Sequence, residues 1–277
     1  MHVQRISITS RGSYFLQVAA LKNTREKRTK RGEFFVEGVR SITGAIKQQW
    51  HITSLLYEAG KTKSRWADEM LQASRAPIHY EVSPELFREL SDKEEPSELL
   101  ATVKIPPDAL ERITVKKGMI VVVFDRPGSP GNLGSSIRSC DALGASGVII
   151  TGHAADIYHP HAVRGSMGSL FALPTVRLPS HKELRVWLDS VQTQVGDLTV
   201  IGTSEDGAAV AEAIDLTKSV VLVMGNETFG MAAQYRELCN QTAKIPMVGS
   251  ASSLNVSCAT TVLLYERMRQ LRQKHIS

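Results

Sequence analysis

Cysteine is scarce in this 277-residue chain: Cys140, Cys239 and Cys258 are the whole set, with no C-x-x-C spacing among them. An odd and scattered trio excludes a disulfide framework and a cysteine zinc cage. Long apolar runs are missing too. No stretch approaches the roughly 18 residues needed to cross a bilayer, and the opening MHVQRISITSRGSYF lacks the apolar centre of a secretory leader. No membrane partner and a cytoplasmic, reducing location are expected. Acidic residues are nearly absent from both ends of the chain. Residues 1–31 hold eight Lys and Arg against Glu26, and residues 266–277 hold four against Glu266, so the middle of this +5 protein is mildly acidic. Basic ends on an acidic body point to a nucleic-acid surface, with a solvated charged face as the plainer alternative.

What is present is the composition of a folded protein, 42% hydrophobic and 22% charged, in a chain long enough for two domains. The first segment alternates short strand-like and helix-like stretches, with strands expected at 33–39, 51–60 and 78–83 and a basic loop at 22–31. The proline pair Pro106-Pro107 and the mixed charge after it mark a boundary near 106–118. Beyond it, MIVVVFD, GVIITG, FALPTV, LTVIGTS, SVVLVMG and AKIPMV read as strands, the most apolar of them buried on both faces. A final helix is expected over 254–273, with Cys258 on its apolar side.

Three loops after these strands are loaded with small and polar residues. DRPGSPGNLGSSIR (125–138) carries Gly128, Gly131 and Gly134 between a buried strand and a helix. Glycines there admit close backbone approach to a ligand and expose helix amides. The spacing is G-x-x-G-x-x-G rather than G-x-G-x-x-G, with no acidic residue about 20 positions on at a strand end, which argues against dinucleotide binding and a nicotinamide oxidoreductase. GNETFG (225–230) sets an amide and a carboxylate at a strand end, and IPMVGSASSLN (245–255) leads through small residues into the last helix. His159-Pro160-His161 lacks a third ligand, so no metal is expected there. No G-x-S-x-G elbow marks a serine hydrolase.

Together, N132-L-G-S-S-I-R138, G225-N-E227-T-F-G230 and I245-P-M-V-G-S-A-S-S253-L-N255 resemble the three motifs of the SpoU/TrmH branch of the SPOUT RNA methyltransferases. The resemblance covers essentially all of 119–270. GEFFVEGVRSITGAI resembles the small ribosomal-protein-like α/β domain that this branch uses to bind substrate. The implied fold is α/β: an N-terminal RNA substrate-binding domain over 1–107 and a SPOUT methyltransferase domain over 118–277, its C-terminal segment threaded into a trefoil knot. The implied activity is methyl transfer from S-adenosylmethionine to an RNA ribose 2′-hydroxyl, without a metal, by a homodimer. Ribosomal RNA is favoured over tRNA, 23S rRNA above all, with antibiotic resistance as a biological outcome. A tRNA 2′-O-methyltransferase, or an RNA- or ribosome-binding protein that has lost catalysis, is the alternative.

Carried over position by position, the resemblance rests the cofactor's adenosine against backbone at Thr203, Gly225, Ile245, Met247 and Leu254. It gathers Asn132, Arg138, Glu227, Ser253 and Asn255 at the reaction site and gives Asn226 no role. A guanidinium, with a pKa above about 12, is an improbable base. Arg138 is therefore read as a holder of phosphate and of developing alkoxide charge, with the base left open. Lys27, Arg28, Lys30 and Arg31 are the expected phosphate contacts, with Arg5, Arg11 and Arg40 outside them.

Overall fold

A computed structural model describes residues 3–274. The chain forms two compact units. The first comprises residues 1–106 together with 156–172, and the second comprises 107–155 and 173–277.

The first unit is built on five strands: β1 (Gln4–Ile8), β2 (Glu33–Glu37), β3 (Ile52–Glu58), β4 (Ile78–Val82) and β5 (Leu99–Lys104). They lie in the order β1-β4-β3-β5-β2. β4 runs parallel to both β1 and β3, whereas β5 is antiparallel to β3 and β2. The helices are α1 (Ser13–Asn23), α2 (Arg25–Arg31), α3 (Val39–Lys47), α4 (Arg65–Ala73) and α5 (Pro84–Leu90). α1 buries Phe15, Val18 and Leu21, one side of a helix, against a core that includes Phe35, Leu56, Tyr80, Phe87 and Leu100. The opposite side of β2 meets the 156–172 segment, which carries two short helices, Pro160–Gly165 and Ser169–Ala172. Phe34 packs on Tyr158 with ring centroids 4.7 Å apart, and Trp50 meets Phe171 edge-on at 5.1 Å while donating its indole N–H to the Phe171 carbonyl at 3.0 Å.

The basic stretch expected as a loop is helix α2, closed by Gly32 in the left-handed conformation at φ 62°. Its sequence, REKRTKR, has no apolar periodicity because its single buried side chain is an arginine.

The second unit is a parallel sheet in the order β10-β12-β9-β11-β6-β7-β8. Its elements are β6 (Ile120–Asp125), α6 (Pro130–Ala142), β7 (Gly147–Thr151), β8 (Thr175–Leu178), α7 (His181–Val195), β9 (Leu198–Thr203), β10 (Ala209–Val210), β11 (Ser219–Met224), β12 (Gln241–Lys244) and α8 (Val256–Lys274). β6 and β11, adjacent at the centre, are buried at every residue, which is why their sequences read as unbroken apolar runs. Val121, Val123, Val221 and Val223 pack with Leu184, Trp187, Leu188 and Val191 of α7 on one face.

Several expectations are corrected here. The Gly/Pro stretch after β6 becomes helical at Pro130, not at Ile137: Ser129 caps α6 by accepting from the Asn132 N–H at 3.3 Å, and Pro130 fits the first turn. β12 stops at Lys244, so 245–248 is not strand. Cys258 is exposed rather than core. Arg267, counted with the basic tail, is 4% exposed and donates to the backbone carbonyls of Leu216, Lys218 and Gly118. Among the described residues, no helix is long and apolar enough to cross a membrane.

Candidate active site

Loops leaving the carboxyl ends of β6, β9, β11 and β12 converge beside the central pair of strands, the region where open parallel sheets take ligands. With the start of α8 they enclose a cavity of about 530 Å³, within the roughly 300–1,000 Å³ usual for small-molecule sites. Thr203, Gly225, Ile245, Met247 and Leu254 all line it, as do Asn132, Glu227, Ser253 and Asn255. Met224, Met231, Val256 and Leu263 supply apolar wall.

The three motifs are tied together by side chains. Glu227 accepts from the Gly128 N–H at 3.0 Å and from Asn132 Nδ2 at 3.3 Å. Asn132 Oδ1 in turn accepts from Asn255 Nδ2 at 3.0 Å, and Asn255 Oδ1 accepts from the N–H and hydroxyl of Ser257. Both amide orientations are thereby settled by their partners. One residue from each motif thus joins a single polar chain on the rim of the cavity.

Close packing explains the glycine of the second motif. A Cβ on Gly225 would lie 2.5 Å from the Met231 nitrogen and 2.7 Å from the Gly230 carbonyl carbon. The strand end and the returning loop can touch only because nothing projects there. Gly230 closes that turn at φ +64°.

Two residues that sequence reasoning left out hold this arrangement. Asn226 donates to the Arg126 carbonyl at 2.6 Å, accepts from the N–H groups of Thr228 and Phe229, and exchanges backbone bonds with Gly230. It is the pin that joins the second motif to the first, a turn-forming use of asparagine that its place after a glycine hinted at. Asp125, fully buried at the end of β6, accepts two bonds from the Arg126 guanidinium and one from the Ala232 N–H at 2.8 Å. A carboxylate ending an all-apolar strand was the available signal. The Asp125 contact raises the Arg126 pKa above its ordinary value.

Arg138 stands apart. It lies on α6 six residues beyond Asn132, about 120° round the helix, is exposed, and does not line the cavity. The basic cluster also divides. Lys27, Lys30 and Arg31 are exposed on α2, whereas Arg28 is 2% exposed and already engaged. It donates to the Leu21 and Lys22 carbonyls at the end of α1, at 2.8 and 2.9 Å, and to Asp156 Oδ2 at 2.8 Å. Arg28 thus departs from the other three members of the expected phosphate-binding cluster: its side chain is buried, with its Nε and Nη1 groups closing the helix end and pairing a buried carboxylate. His159 accepts from the His161 N–H as a helix cap, and burial lowers its pKa. No group of three His, Cys, Asp or Glu side chains able to hold a metal occurs among the described residues.

The profile of the SpoU rRNA methylase family matches residues 119–265, and that of the SpoU L30e-like domain matches 12–101. The chain belongs to the SpoU rRNA methylase family. This SpoU methylase is 47% identical to a 23S rRNA (uridine(2479)-2′-O)-methyltransferase of Streptomyces viridochromogenes, over 95% of its own length and 92% of the relative's. It is 28% identical to the Bacillus subtilis 23S rRNA (guanosine(2553)-2′-O)-methyltransferase RlmP, covering 88% and 91% of the two chains. Its fold matches that of the SpoU methyltransferase AviRb of Streptomyces viridochromogenes in complex with AdoMet, with a TM-score of 0.89 at 45% identity over 94% and 98% of the chains.

The lining of the SpoU methylase's cavity fits S-adenosylmethionine. Its charged residues are mostly acidic, Glu205, Asp206 and Glu227 against Arg236, which suits a ligand carrying a sulfonium and an ammonium. Backbone at strand ends offers donors and acceptors to an adenine edge, and the methionines and leucines offer apolar contact to its faces.

Proposed function

We propose that this SpoU methylase transfers a methyl group from S-adenosylmethionine to a ribose 2′-hydroxyl of 23S rRNA. The observation that carries the reading is the Glu227–Asn132–Asn255 chain on the rim of an acidic and apolar cavity. When bound, the cofactor would supply an electrophilic methyl group, and Thr203, Gly225, Ile245, Met247 and Leu254 would hold it in the cavity that Glu227 borders. Glu227 uses one oxygen on Gly128 and the other on Asn132, and each keeps a lone-pair site for a substrate hydroxyl. Asn132, held from both sides, fixes the direction in which that carboxylate points. Ser253 and Asn255 border the same space at the head of α8.

Arg138, exposed and cationic outside the cavity, is suited to an RNA phosphate next to the methylated ribose, not to accepting a proton. The first unit is the RNA-binding domain, with Lys27, Lys30 and Arg31 on phosphates. The enzyme works as a cytoplasmic homodimer. Val262 and Tyr265, 41% and 54% exposed on α8, offer apolar surface to a second copy, and the family's knot lies in the stretch that runs from β11 into α8. Transfer of tritium from methyl-labelled cofactor to a 23S rRNA transcript, with tRNA as the parallel substrate, tests the reading. Label in tRNA alone would replace the substrate, and cofactor binding without transfer to either RNA would leave a catalytically silent binder.

A further inference from the structure

Phe229 is 78% exposed, two residues from Glu227. A large aromatic so exposed forgoes the burial that phenylalanine usually takes. It is not on a slack loop. The Phe229 and Thr228 N–H groups both donate to Asn226 Oδ1, at 3.0 and 2.9 Å, and Asn226 and Gly230 exchange backbone bonds of 3.0 Å across the turn. Asn226 is itself fastened to the Arg126 carbonyl, and Glu227 to Gly128 and Asn132. The turn therefore presents the ring to solvent from a backbone fixed on both sides, at little further ordering cost on binding.

Its neighbours say what it faces. Two residues of chain span at most about 7 Å, so the backbone that carries the ring is a near neighbour of the backbone that carries the carboxylate taking the ribose. RNA is read at single-stranded positions by stacking unpaired bases on aromatic side chains. A nucleobase at or beside the methylated nucleotide is the flat, apolar-faced group that must come to this place.

We propose that Phe229 is a substrate-positioning residue that stacks on a base of the RNA, at or next to the nucleotide being methylated, and so holds the ribose over Glu227. This rests on the 2′-O-methylation reading above. A stacking face on one base is lost with the ring, whereas the cofactor cavity, which Phe229 does not line, is untouched.

The experiment compares Phe229→Ala, Phe229→Leu and Phe229→Trp in the full chain. It measures kcat/KM on a 23S rRNA transcript, S-adenosylmethionine affinity by calorimetry, and mass by sedimentation. Loss of one stacked base corresponds to about 5- to 150-fold. Phe229→Ala and Phe229→Leu are expected to lose at least about fivefold in kcat/KM, while Phe229→Trp stays within about threefold. Cofactor affinity and mass do not change. Leucine keeps apolar bulk without a flat face, so full activity in Phe229→Leu overturns stacking, as does activity within about twofold of wild type in Phe229→Ala. A fall in mass in Phe229→Ala also overturns it, because the ring would then serve contact between copies. Independently of turnover, the indole introduced by Phe229→Trp should be quenched by the transcript, and unchanged emission refutes the contact. Absence of methyl transfer by the unsubstituted protein refutes the parent reading instead, and the quenching measurement still decides the contact.

Discussion

Replacing Arg28 with alanine should destabilise the first unit and leave the salt dependence of RNA binding as it was. The side chain is 3% exposed and its ion-pair partner Asp156 7%. Removing it strands the Asp156 carboxylate on one oxygen, whose fellow still accepts from the Tyr158 N–H at 2.9 Å, and leaves the Leu21 and Lys22 carbonyls without their donor. Breaking a buried pair from one side costs about 3–5 kcal/mol. With a urea dependence of about 2 kcal/mol per molar, the unfolding midpoint of this unit should fall by about 1.5–2.5 M, followed by the fluorescence of Trp50 and Trp66. Arg28→Ala/Asp156→Ala should lose less than the sum of the single substitutions, since neither charge is then left alone. A phosphate contact at Arg28 would give the opposite pattern: an unchanged midpoint, and a fall of about one in the slope of log affinity against log salt. That result would refute the reasoning.

Four further outcomes follow from the structure. Lys27→Ala/Lys30→Ala/Arg31→Ala, all on the exposed side of α2, should lower the magnitude of the same slope by about 2–3 without changing cofactor affinity, as read by filter binding across a salt series. Gly225→Ala forces a methyl to within 2.5 Å of the Met231 nitrogen, so calorimetry should find cofactor binding abolished while the first unit melts normally. Arg138→Lys keeps the charge but loses the planar fork, and single-turnover transfer should fall by about 10²-fold at every pH from 7 to 10; recovery at high pH would make residue 138 a base. Burial holds the Cys140 thiol protonated far above its ordinary range and pushes Cys239 up to about 11. A thiol reagent at pH 8 should therefore modify exposed Cys258 and spare the other two in the native protein.

The second unit was largely legible because its chemistry is written in local patterns. β6 and β11 are buried on both faces, so their apolar runs could be read directly, and the loop that follows β11 carries Gly225 where backbone must approach backbone. β1 and β5 were not foreseen: QRISI is largely exposed at a sheet edge, and LLATVK abuts the proline pair that drew attention as a boundary. α2 was missed because a helix whose inward residue is arginine has no apolar stripe. Arg28 and Arg267 illustrate the wider reason. Whether a guanidinium serves solvent or a helix end depends on carbonyls and carboxylates 6 to 149 residues away in sequence, and charge counting assigns every arginine to the surface. Asn226 was set aside because its work is done on the backbone of another loop.

The division of the first unit into two stretches also bears on the order in which the protein is made. Residues 1–106 leave the ribosome with Phe34 and Trp50 still lacking Tyr158 and Phe171, and Arg28 still lacking Asp156. At about 5–20 residues per second, the roughly 65 residues from Pro107 to Phe171 take about 3–13 s to appear. For that interval the nascent sheet presents an aromatic face with no cover, while β6, α6 and β7 of the second unit are already emerging. The first unit is begun before the second, yet it stays incomplete until Ala172 has been synthesised.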